Sequence, residues 1–122
     1  MATEITFRPG LDGVMAALSA AEQVASSVPV IPASVDLNNA HFDYVPGTYE
    51  RPMGVLFYFH RSAESVREFA EVFGLDVQDR PHDATSTYIF AEGALGGVPF
   101  RAWTIVGIET PATADESSAV AA

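Results

Sequence analysis

The 122-residue sequence predicts an α+β domain in which a mostly antiparallel sheet of four to five strands carries two helices packed on one face. Three observations lead there. Residues 11–27 and 62–73 repeat apolar side chains at helical spacing, residues 54–60 are nearly continuous in β-branched and aromatic types, and Gly96-Gly97 separates two long β-rich runs. The length implies one domain over residues 1–110, and a chain of this size buries roughly two thirds of its unfolded surface. With 48% apolar residues, including eight Phe, four Tyr and one Trp, an ordinary core needs no disulfide or metal to hold it.

In the first helical segment Leu11, Val14, Leu18, Ala21, Val24 and Val28 form the expected buried stripe, widened by Met15 and Ala25. The remaining face is mostly Ala and Ser, so this helix is expected to be covered on both sides, by the sheet and by another segment or a partner. Pro29 and Pro32 end it. A short strand is expected over residues 33–38, where Val35 and Leu37 alternate with polar neighbours. Residues 39–52 contain Pro46, Gly47 and Pro52 and read as a loop, whose Phe42, Tyr44 and Tyr49 are apolar enough to pack back onto the domain or to bind.

The run Gly-Val-Leu-Phe-Tyr-Phe-His at residues 54–60 predicts a central strand. Ser62 is the expected N-cap of the second helix, Glu64 and Glu68 suit its positive end, Gly74 its left-handed C-terminal stop, and Val66, Phe69, Ala70 and Phe73 its buried stripe. Residues 75–80 are expected as a strand and 81–85 as a turn. The Gly96-Gly97 turn then sets a register for strands 85–95 and 98–107: Leu95 opposite Val98, Gly93 opposite Phe100, Glu92 opposite Arg101, Phe90 opposite Trp103 and Tyr88 opposite Ile105. An acid meets a base, rings meet rings, and a ring covers a glycine. From residue 111 onward Ala, Thr, Ser, Asp and Glu predict a flexible tail.

Composition excludes several functions. There is no cysteine, hence no disulfide framework, thiolate nucleophile or Cys-type zinc site. The segment 1–8 carries Glu4 and lacks a basic leader, and the apolar stretch 11–32 is broken by Asp12, Glu22 and Gln23. A cytoplasmic protein that does not bind membranes is therefore expected. Six basic residues, all arginine, stand against 16 acidic ones, a net charge of −10. Nucleic-acid phosphates repel such a chain, so direct nucleic-acid binding is not expected. Its acids are scattered rather than ranked along one face, as a nucleic-acid mimic would need.

No catalytic residue is assigned. His41, His60 and His82 show no helical pairing, and neighbouring His82 and Asp83 would diverge on a strand, so neither a metal site nor any other cofactor is expected. The glycines at 93, 96 and 97 lead into a strand containing Pro99, not into a helix that could meet a phosphate. Without lysine there is no Schiff base, and no Gly-x-Ser-x-Gly elbow is present. The hairpin register places Tyr88, Phe90, Glu92, Arg101, Trp103 and Ile105 on one face, and Tyr58 and His60 share a face of the central strand. If the two coincide, Tyr58, His60, Tyr88, Glu92, Arg101 and Trp103 form a binding surface of the residue types enriched at interfaces. The alternative is that this face is core beneath the helices, with Glu92 and Arg101 at its rim.

The strand–helix–strand–strand–strand order over residues 54–107, with Phe69-Ala70-Glu71-Val72-Phe73-Gly74-Leu75-Asp76-Val77 at the helix end, resembles one module of the vicinal oxygen chelate family. That likeness covers under half the chain and implies a metal-dependent or small-molecule-binding enzyme using His60 and Glu92. The hairpin Gly-Ala-Leu-Gly-Gly-Val-Pro-Phe-Arg-Ala-Trp-Thr (93–104) and the lysine-free, Ala-rich composition make the whole chain similar to a group of small, uncharacterised proteins of actinobacteria and their phages or mobile elements. The ending Ser-Ser-Ala-Val-Ala-Ala is similar to tags read by bacterial unfolding proteases. The leading expectation is a non-enzymatic acidic interaction protein of phage or mobile-element origin, acting on a protein partner or on itself, a homodimer included. The alternatives are the oxygen-chelate enzyme and an anti-defence protein that mimics nucleic acid.

Overall fold

Two helices and five strands occupy residues 5–108, the part of the chain that the computed structural model describes. In chain order they are α1 (Gly10–Ser27), β1 (Ser34–Asn38), β2 (Gly54–Tyr58), α2 (Ala63–Phe73), β3 (Gln78–Asp83), β4 (Ser86–Leu95) and β5 (Val98–Gly107). The tail expected from residue 111, with its tag-like ending, lies outside the described residues. The strands form one sheet in the order β1-β2-β5-β4-β3, antiparallel throughout except for the parallel pair β2–β5.

The hairpin follows from its turn. Gly96 and Gly97 take φ of 59° and 85°, the pair of positive values a tight two-residue reversal requires. Leu95 consequently faces Val98, and every expected pair along β4 and β5 is present, Glu92 with Arg101 and Phe90 with Trp103 among them. In α2 the Ser62 hydroxyl accepts from the Ser65 amide at 3.1 Å, and Gly74 ends the helix at φ 67°. The Gly74 amide donates to Ala70 and Glu71, and that of Leu75 to Ala70, which satisfies the last carbonyls.

Strand alternation divides the sheet into two faces. Val55, Phe57, Ile89, Ala91, Phe100 and Ala102 turn to the helices and join Ala17, Ala20 and Val24 of α1 and Val66, Phe69 and Ala70 of α2 in one core. Phe69 sits at its centre, with ring centroids 5.3 Å from Phe57 and 5.8 Å from Phe100. Buried beside them, the Thr104 hydroxyl accepts the Ser62 amide at 3.2 Å, which ties the start of α2 to β5.

Two elements differ from the sequence expectation. The buried stripe of α1 is Gly13, Ala17, Ala20 and Val24, while Leu11, Met15 and Leu18 are 72%, 55% and 47% exposed. With apolar residues nearly all round, no polar face dictates the orientation, and the small side lets the helix approach the sheet closely. Strand β3 runs through Pro81 and His82, which were expected in a turn, whereas residues 75–77 lie outside it. As an edge strand it tolerates a residue without an amide proton.

The β3–β4 turn is tied by Asp83, whose Oδ1 accepts from the Thr85 amide at 2.8 Å and from the Ser86 hydroxyl at 2.7 Å. The Ser86 hydroxyl and then the Thr85 amide hold its carboxyl below the ordinary Asp value. A depressed folded pKa adds stability that is complete above the unfolded value of about 4 and is lost as pH falls through the lower folded value. In an NMR titration the Thr85 and Ser86 amides should therefore move together below about pH 4. In Asp83→Asn they should not.

Candidate functional site

The sheet face turned away from the helices holds all the residues expected to bind. Parallel pairing sets Tyr58 level with Trp103 and Leu56 level with Arg101, and the β4–β5 register adds Phe90 and Glu92 beside them. The two faces left open by the sequence thus coincide, and the helices cover the other one. The Tyr58 and Trp103 rings are 4.6 Å apart, Tyr88 and Trp103 5.8 Å, and Tyr88 stacks on Phe90 at 5.0 Å. Tyr58, Tyr88 and Trp103 are partly exposed, while Phe90 and Leu56 are buried beneath their neighbours.

Arg101 organises one end of this face. Its Nε donates to Glu92 Oε2 at 2.7 Å, one terminal nitrogen to the Tyr88 hydroxyl at 3.1 Å and the other to the His41 carbonyl at 3.0 Å. Its side chain is only 18% exposed. Burial disfavours the cation, but the fields of Tyr88 and Glu92 and the hydrogen bonds to both outweigh it and raise the guanidinium above its ordinary value. Arg101 is charged throughout the accessible pH range and serves as a fixed clamp.

The clamp also holds the loop 39–53. Phe42 is 7% exposed, and its ring occupies the space over Gly54, where an added Cβ would collide with the ring. Arg51 donates to the carbonyls of Ala40 at 3.1 Å and Phe42 at 3.3 Å and lies over the Tyr44 ring. Between this loop and the strands opens a cleft of about 490 Å³, bordered by Phe42, Asp43, Arg80, Glu92, Pro99 and Arg101. Arg80, not among the expected site residues, stacks over Phe90 at 4.7 Å. The β3–β4 register, Arg80 opposite Tyr88, is what brings it there.

His60 is exposed at the other end of the face, with Nδ1 2.8 Å from the Tyr58 hydroxyl. The sequence expects the central strand to run to His60, but β2 stops at Tyr58 and His60 lies in the turn that leads into α2, because the chain must reverse there to start the helix at Ala63. Among the described residues no three of His, Asp and Glu come together as a metal site. No helix among them is long and apolar enough to cross a membrane. Compared with family models, with curated proteins and with solved structures, the chain matches none.

Proposed function

We propose that the chain is a non-enzymatic protein of the cytoplasm that binds a protein partner through the helix-free face of its sheet, with Tyr58, His60, Tyr88, Glu92, Arg101 and Trp103 as the contact residues. The observation that carries this reading is the position of the Tyr58–Trp103–Tyr88 cluster, partly exposed on the face the helices leave open. Rings already packed on one another lose little conformational freedom on binding, and Tyr, Trp and Arg dominate interface energetics. The Arg101 clamp holds the Tyr88 hydroxyl and the adjoining loop in place before any partner arrives. Origin in a phage or mobile element of an actinobacterium belongs to the same proposal and rests on the 93–104 hairpin and the lysine-free composition.

Trp103 is the sole tryptophan, so its fluorescence reports on this face directly. Trp103→Ala and Tyr88→Ala should each weaken a partner isolated from the native host by tenfold or more, about 1.4–2 kcal/mol, with far-UV circular dichroism unchanged. Val72→Ser, on the exposed side of α2, should leave binding intact. Retention of the partner by both ring variants would sink the proposal. So would salt-sensitive quenching of Trp103 by a single-stranded oligonucleotide, which would mark a base-stacking surface instead.

A further inference from the structure

We infer that the open edge of β1 is a strand-addition site, and that its occupant is an extended segment of another protein carrying a basic side chain opposite Asp36. The sheet order leaves β1 and β3 at its two edges, each with one row of backbone N–H and C=O groups that no strand of the described chain pairs. The two edges are not equivalent. β3 contains Pro81, its register shifts between Pro81 and Asp83, and Asp79, Arg80 and Asp83 charge it. Proline, irregular pairing and dense charge are what keep a free edge from recruiting another strand.

β1 has none of these except a single charge. Ser34–Asn38 contains no proline, and its five residues pair with β2 in unbroken register. Ser34, Val35 and Asp36 are exposed, and among the described residues no backbone group outside β2 bonds to this strand. An added strand would find a row of donors and acceptors already spaced for it, with side chains presented in alternation. Val35 and Leu37 are level with Phe57 and Val55 on the helix side, and Val35, 41% exposed, lacks a neighbour beyond the edge. Ser34, Asp36 and Asn38 share the other face with Tyr58 and Leu56.

Asp36 selects the occupant. It stands at the middle of the strand and forms no ion pair among the described residues. A second copy of this chain, added antiparallel in the register that pairs the whole strand, would set Asp36 directly against its own counterpart. Like charges so placed destabilise a sheet. An arginine or lysine in that position instead gains a cross-strand ion pair, and the net charge of −10 draws a basic segment to the chain. Apolar residues on either side of the cation would cover Val35 and Leu37. The occupant is therefore an alternating apolar–basic–apolar segment, and so short a pairing gives the isolated segment a dissociation constant of about 0.1–1 mM.

This site adjoins the ring-bearing face without depending on it. The edge holds main chain and the rings hold side chains, and Tyr58, level with Ser34, marks where the two meet.

The probe is the capped peptide Ser-Thr-Val-Arg-Val-Thr-Ser, titrated to about 5 mM into the isotopically labelled full chain. Amide shifts should centre on residues 34–38. Exchanging its arginine for glutamate should weaken binding at least about fivefold, and Asp36→Lys should reverse that preference with the melting curve unchanged. Two N-methylated peptides separate main-chain pairing from side-chain contact, one methylated at both valines and the other at the arginine and both threonines. The pattern that faces β1 should lose binding at least about tenfold, and the one that faces solvent should keep it within about twofold. Trp103→Ala should leave the peptide affinity within about twofold, which tells a failure here from a failure of the ring-bearing face. Absence of shifts in β1 at the highest concentration overturns the inference. So do equal effects of the two methylation patterns, or a charge preference that Asp36→Lys leaves unchanged. A peptide that shifts only the residues around Trp103 would belong to the ring-bearing face and overturns it too.

Discussion

Phe69→Ala should lower the stability of this domain by about 3–5 kcal/mol, the largest loss expected from a single truncation. The Phe69 side chain is fully buried, and its ring meets Phe57, Phe59, Phe73 and Phe100 at centroid distances between 5.3 and 6.0 Å. The rings come from both central strands and from α2 itself, so no single neighbour can swing in to fill the void. Edge-to-face contacts are lost together with the transfer energy of the ring. Against a total of about 5–15 kcal/mol, a loss of that size leaves little margin at 37 °C. Urea denaturation measures it, and Val72→Ala, three residues along on the exposed side, should cost less than about 0.5 kcal/mol. Equal losses from the two would mean that Phe69 is not the keystone its contacts describe.

Arg101→Leu should have the next largest effect, about 1–3 kcal/mol, concentrated in one region. Glu92 is 41% exposed and can turn to water once its partner is gone, which keeps the cost below that of a broken buried pair. What cannot be replaced are the bonds to the Tyr88 hydroxyl and the His41 carbonyl, because leucine offers no donor. Hydrogen exchange should therefore quicken across residues 39–53 while the β4–β5 amides keep their protection. Arg101→Lys should rescue only part of the effect, since an ammonium cannot match the planar fork that serves three acceptors at once. Unchanged exchange in the loop would show that Phe42 over Gly54 suffices to hold it.

Much of the fold was legible because local chemistry was decisive. The glycine pair at 96–97 sets the β4–β5 register, and with it the alignment of Glu92, Phe90 and Tyr88 with Arg101, Trp103 and Ile105. Ser62 and Gly74 mark the ends of α2 as their capping chemistry requires. The rest depended on contacts between distant segments. Nothing near Tyr58 says that β2 lies parallel to β5, yet that pairing brings Tyr58 beside Trp103 and decides which face the helices leave open. The orientation of α1 was hidden for a different reason: Leu11, Met15 and Leu18 satisfy helical periodicity as well as Gly13, Ala17, Ala20 and Val24 do, and close approach selects the smaller set. Arg80 was missed because its place follows from the irregular β3–β4 pairing around Pro81. The role of Phe42 depends on the side chain that Gly54 lacks, a place its ring takes only when the loop folds back over the strand.

The interior position of β5 has a consequence for how the protein is made. It lies between β2 and β4 yet is the last of the five strands to leave the ribosome. Until residues 98–107 emerge, β2 and β4 lack the strand that joins them into one sheet. In the interval Val55, Leu56 and Phe57 would be open to chaperones, and a translational pause before codon 98 would prolong that exposure.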